Sequence, residues 1–313
     1  MAYTAAEPRT TADWRTGAAV VVTVLAWASA FISIRSAGQY FTPGALALGR
    51  MLVATVAVMA LLLIRREGWP ARGAWPGIVT GGLLWFGVYM VALNWAEQKV
   101  DAGTAAMVVN IGPIIIALMS GLLLREGFPR PLMIGMAVSF AGAVVVGYSQ
   151  SRGGDAPVLG VLLCVVAAVT YACGVVVQKP ALRYASASQV TAFSCLVATI
   201  ACLPFSGQLL DGLGSAPASA TVNMVYLGLV PTALAFTTWA YALARTTAGK
   251  MGATTYVVPA IVVFMSWLFL SEVPGWWTVA GGLLCLAGVA VARRGSSRRP
   301  AAVPAARPDH GTD

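Results

Sequence analysis

Long apolar runs separated by short polar links dominate the chain. A helix rises 1.5 Å per residue, so about 20 apolar residues cross a 30 Å hydrocarbon core. Windows of that kind fall at 17–35, 43–64, 75–95, 103–124, 130–149, 157–177, 188–206, 220–243, 250–270 and 275–292. The links between them hold Gly, Pro and most of the charges. Nothing alternates as barrel strands do, and helices satisfy their own backbone groups where lipid cannot. The pattern predicts an all-α integral membrane protein with ten transmembrane helices.

Two of the runs carry a proline near the middle: "VVNIGPIIIALMSGLLLRE" (Val108–Glu126) and "YVVPAIVVFMSWLFLSE" (Tyr256–Glu272). A proline in a helix interior removes a backbone donor and costs about 3 kcal/mol. Setting Pro259 on Pro113, an offset of 146, also sets Met265 on Met119, Ser266 on Ser120 and Glu272 on Glu126. The same offset pairs Gly82 with Gly228, Gly135 with Gly281 and Gly142 with Gly288. The first and sixth runs align at an offset of 144, pairing Trp27 with Tyr171, Arg35 with Lys179 and Tyr40 with Tyr184. A five-span unit is thus written twice, over 16–149 and 157–293. Five is odd, so the second copy enters the membrane from the opposite side. The expectation is two inverted five-helix repeats, an arrangement that recurs in secondary transporters with the solute site near midplane. Gly112, Pro113 and Pro259 are then candidate hinges, loosening the backbone near Val109 and Thr255; plain packing kinks are the alternative.

Composition agrees with a membrane protein. Of 313 residues 58% are hydrophobic and 10% charged, with a mean hydropathy of +0.79, whereas soluble domains carry about 25% charged residues. The net charge of +9 suits anionic lipid head groups rather than nucleic acid. With the N-terminus placed in the cytoplasm, 16 of the 20 Lys and Arg face inward. Arg35, Lys99 and Arg152 face outward and Arg50 lies within a span. That split predicts a multi-pass protein of the cell (inner or plasma) membrane with both termini cytoplasmic. Residues 1–15 have no short apolar core with a cleavage site and lead into the first span. Residues 294–313 form a basic, Pro- and Ala-rich tail expected to be disordered. The five cysteines fall in apolar segments without a C-x-x-C pair, and the single histidine, His310, is in the tail. No metal or other cofactor is expected.

"VALNWAEQKVDAGTAAMVVNIGPIIIALMSGLLLREGFPRPLMIGMAVSFAGAVVVG" and "YALARTTAGKMGATTYVVPAIVVFMSWLFLSEVPGWWTVAGGLLCLAGVAVARR" share a polar turn, a mid-span proline and a closing glutamate. They resemble the EamA repeat, and the whole of 16–293 resembles EamA-type members of the drug/metabolite transporter superfamily. "ALALGRMLVA" is similar to that family's span-two segment with its arginine. The resemblance implies a ten-helix carrier, usually an exporter of amino acids, other small metabolites or toxic compounds, with a cavity among spans one, three, four, six, eight and nine. The second half departs from the pattern: Ser194 stands where a symmetric partner of Arg50 belongs.

No Asp or Glu lies in the middle of a predicted span; Glu97, Asp101, Asp155 and Asp211 lie in links, and Glu126 and Glu272 at span ends. The proton mechanism of the small four-span relatives therefore does not carry over. Mid-depth positions offer aromatic and amide groups instead. Trp27, Phe31, Tyr89, Asn110, Tyr171, Trp239 and Tyr256 are the candidate solute contacts, suited to a small, largely apolar solute with polar handles. Lipid-facing or packing aromatics are the alternative for any one of them, and Asn110 points inward because an amide facing lipid is costly. Arg50 either snorkels outward or pairs with a backbone carbonyl, or it contacts a substrate carboxylate. A membrane enzyme would need converging acids, histidines or a metal site, which the spans lack. A sensor or channel on the same fold, without coupled turnover, is the other class; nothing in the pattern fixes an oligomeric state.

Overall fold

The computed structural model describes residues 14–123, 130–151, 155–246, 248–272 and 274–296. All the regular structure among them is helical. α1 (Trp14–Ala37) leads through a short turn into α2 (Pro43–Ile64). The Thr42 hydroxyl accepts from the Ala45 N–H at 3.3 Å, and Pro43 fills the first turn, where its missing N–H leaves no bond unmade. α3 (Arg72–Ala96) runs on through a π-helical segment, Gly82–Val88. α4 (Ala102–Val109) starts at Asp101, whose carboxylate accepts from the Thr104 N–H at 2.8 Å. α5 (Gly112–Leu123), α6 (Arg130–Ser151) and α7 (Asp155–Ala181) follow. α8 (Ala187–Ser215) opens on a capping box between Ser186 and Gln189. α9 (Ala218–Arg245) also contains a π-helical segment, Gly228–Leu234. α10 (Ala248–Thr254), α11 (Val258–Leu270) and α12 (Trp276–Ser296) complete the chain.

Among the described residues, six of these helices are long and apolar enough to cross a membrane: α1, α2, α3, α7, α8 and α9. Shorter apolar stretches at Ala102–Ile116, Met133–Gly142, Val258–Leu270 and Trp276–Gly288 occupy the places expected for spans four, five, nine and ten. Two edges differ from expectation. α8 continues past Pro204 through one 3-10 turn to Ser215, so much of the expected link 207–219 is helix. Buried Leu209 and Gly212 hold that extension, the latter against the Phe41 ring. α12 runs to Ser296, beyond the expected span end at 292, and residues 297–313 of the expected tail lie outside the described residues.

The two prolines explain where helices α4–α5 and α10–α11 divide. α4 ends at Val109, Asn110 caps it with φ −72° and ψ 4°, and α5 starts at Gly112. On the other side, Thr255–Val257 forms a single 3-10 turn before α11. Pro113 and Pro259 are each the second residue of the following helix. There the missing N–H has no intrahelical acceptor to abandon, so most of the interior penalty disappears. Local bonds from Asn110 N to Ala106 O and from Ile111 N to Val108 O, both 3.2 Å, repair the turn itself.

Corresponding details recur at the spacing seen in the sequence. The π segments begin at Gly82 and Gly228, 146 residues apart. Arg35 donates to the Glu97 carbonyl at 2.6 Å, and Lys179 donates to the Leu243 carbonyl at 2.5 Å. The two donors are 144 apart and the two acceptors 146. Helix packing is reciprocal as well: α2 lies on α8 and α6 on α12, while α1 packs on α9 and α11 as α7 packs on α3 and α5.

Candidate functional site

A cavity opens between α1, α2, α3, α4, α7, α9 and the turn before α11. It holds about 600 Å³ including its mouth. In this conformation it is a narrow slot. Trp27, Phe31, Trp85, Tyr89, Tyr171 and Phe236 form most of its wall. Their rings interlock: Trp85 lies 5.3 Å from Tyr171 and 4.8 Å from Phe236, and Phe236 lies 5.3 Å from Trp27. Edge and tilted contacts of this kind contribute about 0.5–1.5 kcal/mol each beyond burial, so the wall is stiff. Two glycines let it form. A Cβ on Gly174 would come within 2.4 Å of Trp85 Cβ, and one on Gly112 within 2.5 Å of the Tyr171 ring. Gly112, expected as a hinge, also seats that ring.

The polar groups in the slot are few and are mostly donors. Arg50 is 2% exposed, so its side chain does not reach the surface. Its Nε and Nη2 donate to the Thr232 hydroxyl at 3.2 and 3.0 Å. The Thr232 position follows from Pro231, which lacks the N–H that would bond Leu227 O. The Thr232 hydroxyl takes that carbonyl at 2.7 Å and offers its lone pairs to Arg50. Nη1 of Arg50 has no partner among the described residues, nor do Trp27 Nε1 and Asn110 Nδ2. All three residues line the cavity. Unsatisfied buried donors are costly, and a guanidinium more than an amide. The slot therefore favours a ligand that brings acceptors, a carboxylate above all.

Six sequence candidates meet at this cavity: Trp27, Phe31, Arg50, Tyr89, Asn110 and Tyr171. Trp85 stands between Trp27 and Tyr171, 6.1 Å from the first ring and 5.3 Å from the second. Trp239 does not line the slot. It is 0% exposed and backs Trp27 at 4.9 Å. The Tyr256 side chain and Glu126 lie outside the described positions, while Pro113 and Pro259 flank the cavity at the helix breaks. Trp85, Phe236 and Thr232 were missed. Trp85 sits inside one π segment, and Phe236 lies two residues past the other. A π turn shifts the face that later residues present, so a 3.6-residue period misplaces them. The signal available was the glycine pair Gly82 and Gly228 that opens each segment.

Comparison with known proteins decides the family. The model described as "EamA-like transporter family" matches twice, over residues 15–148 and 158–294. The chain belongs to the EamA-like transporter family. It is similar to a "Probable terminal-alkyne amino-acid exporter" of Streptantibioticus cattleyicolor, 33% identical over 92% of this chain and 97% of that one. "Uncharacterized transporter YdfC" of Bacillus subtilis is 31% identical over 84% of this chain and 86% of its own. A "Probable amino-acid metabolite efflux pump" of Salmonella typhimurium is 23% identical over 87% and 93%. A solved structure, "Crystal structure of protein", superposes with TM-score 0.63 and 22% identity over 91% of this chain and 99% of its own, a likeness of fold alone. The EamA protein described here is a multi-pass membrane transporter of the drug/metabolite transporter superfamily.

Proposed function

We propose that the protein exports a slender amphipathic solute carrying a carboxylate, such as an amino acid with a short apolar side chain. It does so by alternating access around the aromatic slot. The observation that carries this is the meeting of three unpartnered donors, on Arg50, Asn110 and Trp27, inside an otherwise aromatic cavity. The carboxylate takes Arg50 Nη1 and Asn110 Nδ2, and the apolar chain lies along Trp85, Phe236 and Tyr171. Relatives named as exporters of amino acids or their metabolites support the class. Ten spans in two inverted repeats, 16–149 and 157–293, provide the moving halves; the recurrent π segments and the paired lysine and arginine contacts support that architecture. Pro113 and Pro259 with Gly112 let each half-helix swing. Both termini lie in the cytoplasm, where the basic links meet anionic lipid.

The test is a thermal-shift panel on purified protein: L-propargylglycine (a terminal-alkyne amino acid), L-norvaline, their decarboxylated amines, nucleosides and lipophilic cations. The carboxylated, apolar members raise Tm and the amines do not. A shift with the cations alone contradicts the assignment.

A further inference from the structure

Glu97 follows α3 directly and is 1% exposed, yet neither carboxylate oxygen has a partner among the described residues. It sits one turn beyond Leu93, which lines the central slot, and its N–H bonds the Leu93 carbonyl at 3.0 Å. Glu97 itself lines a second, polar vestibule with Arg35, Gln98, Lys99 and the 38–43 turn, about 840 Å³ including open solvent. The side chain thus occupies the partition between slot and vestibule. Across that partition Arg35 bridges two elements. Its Nη1 donates to the Glu97 carbonyl at 2.6 Å, and its Nε donates to Glu272 at 2.7 Å, tying α1 to the segment after α11.

The titratable or charged groups that act on Glu97 are Arg35 on α1, Arg50 on α2, Tyr89 on α3, Asp101 at the start of α4, Cys164 on α7 and Glu272 after α11. Burial pushes the Glu97 carboxyl well above the usual carboxylate range; Arg35 opposes this, Glu272 adds to it, Arg50 opposes and Asp101 adds. An unpaired carboxylate is kept out of water at such a site by taking up a proton.

We propose that Glu97 is a proton-binding site that couples proton uptake to closure of the vestibule mouth. In the closed form it is neutral. When the mouth opens, water reaches it and the proton leaves to the vestibule. The ionised carboxylate then competes with Glu272 for Arg35, whose guanidinium already rests on the Glu97 backbone. Re-closure requires a proton back. The closed form binds one proton more than the open form, so acid favours closed and alkali favours open. In a carrier this lets acid on the vestibule side drive the empty protein back to its closed form. That use rests on the transport reading above; the site itself does not.

The experiment needs no solute. Ile34, at the slot end of the mouth, and Tyr40, exposed in the vestibule, are each changed to Cys in the full chain. Vesicles are used in the orientation that exposes Tyr40→Cys, and an impermeant thiol reagent is applied at several pH values, with the parent protein as background. The Ile34→Cys rate divided by the Tyr40→Cys rate rises with pH, by up to about tenfold per unit through the transition. Glu97→Gln abolishes the rise, and Glu97→Asp keeps it with a displaced midpoint. A flat ratio in the wild type overturns the proposal, as does the same pH dependence in Glu97→Gln. Should Glu97→Gln fail to fold, an unmoved midpoint in Glu97→Asp overturns it equally.

Discussion

The hydroxyls of Thr55 and Thr199 meet at 2.9 Å. The two residues are 144 apart, the offset that also pairs Trp27 with Tyr171 and Arg35 with Lys179. Equivalent residues of two copies touch each other only where a two-fold axis passes between them. The contact is the one that the inverted repeat proposed above requires, with α2 and α8 crossing on its axis. The slot lies beside this crossing, with Arg50 on α2 bonded to Thr232 on α9 and Ser194 on α8 bonded to Ile78 O on α3 at 3.2 Å.

That crossing is open to direct capture. Thr55→Cys with Thr199→Cys forms a disulfide under mild oxidation, because hydroxyls in contact imply Cβ atoms near disulfide range. With a protease site placed in the 152–154 link, the cut halves stay together on a non-reducing gel and separate on reduction. Separation without reductant contradicts the shared axis.

Arg50→Ala removes the strongest donor facing the slot. Hydrogen bonds to charged groups contribute about 1.5–3 kcal/mol, or roughly 10- to 100-fold in Kd. Arg50→Lys recovers only part, since an ammonium lacks the fork that holds Thr232 and a carboxylate together. Binding measured by calorimetry, with expression as control, decides; an unchanged Kd in Arg50→Ala removes it from the site. Trp27→Ala, Tyr171→Ala and Asn110→Ala each weaken binding by about tenfold per 1.4 kcal/mol lost. Trp276→Ala and Trp277→Ala, 77% and 61% exposed in the first turn of α12, leave it unchanged.

Gly112→Ala and Gly174→Ala test the seating of the aromatic wall. Each new methyl meets a ring residue at 2.5 or 2.4 Å. Overpacking of this kind costs about 1–3 kcal/mol. Both variants lower Tm, and both weaken solute binding because Tyr171 and Trp85 move into the slot. A normal Tm in both shows that the wall is softer than described.

Pro113→Ala and Pro259→Ala restore an N–H in the first turn of α5 and α11, where no intrahelical acceptor waits. Folding and solute affinity are therefore retained. Exchange slows, because the half-helices can now join. Normal exchange rates in both single variants and in the double variant leave the prolines with a packing role only.

Much of this was legible in the chain because lipid leaves few choices. Apolar length fixed the helices, and two prolines at a constant offset marked both breaks. Trp27 and Phe31 share a face at i, i+4, Tyr171 is the counterpart of Trp27 at offset 144, Tyr89 stood out by its depth, and the cost of an amide in lipid pointed Asn110 inward. What escaped depends on departures from simple periodicity. Trp85 and Phe236 lie in or after π segments, which local sequence hardly marks. Glu97 looked like an ordinary link residue. Its burial depends on the link folding back, with Gln98 Nε2 donating to Gly38 O and Phe41 O at 2.8 and 3.0 Å. The Arg50 partner was hidden too, since Thr232 is made available by a proline one residue earlier in a different helix.

The most direct measurement is counterflow in proteoliposomes. Vesicles loaded with L-propargylglycine are diluted into tracer of the same compound, with wild type and Arg50→Ala side by side. Wild-type protein concentrates tracer transiently and saturates with outside concentration, and Arg50→Ala fails at the same tracer level. Flux that never saturates, or saturable flux indifferent to Arg50, contradicts a carrier built on this slot.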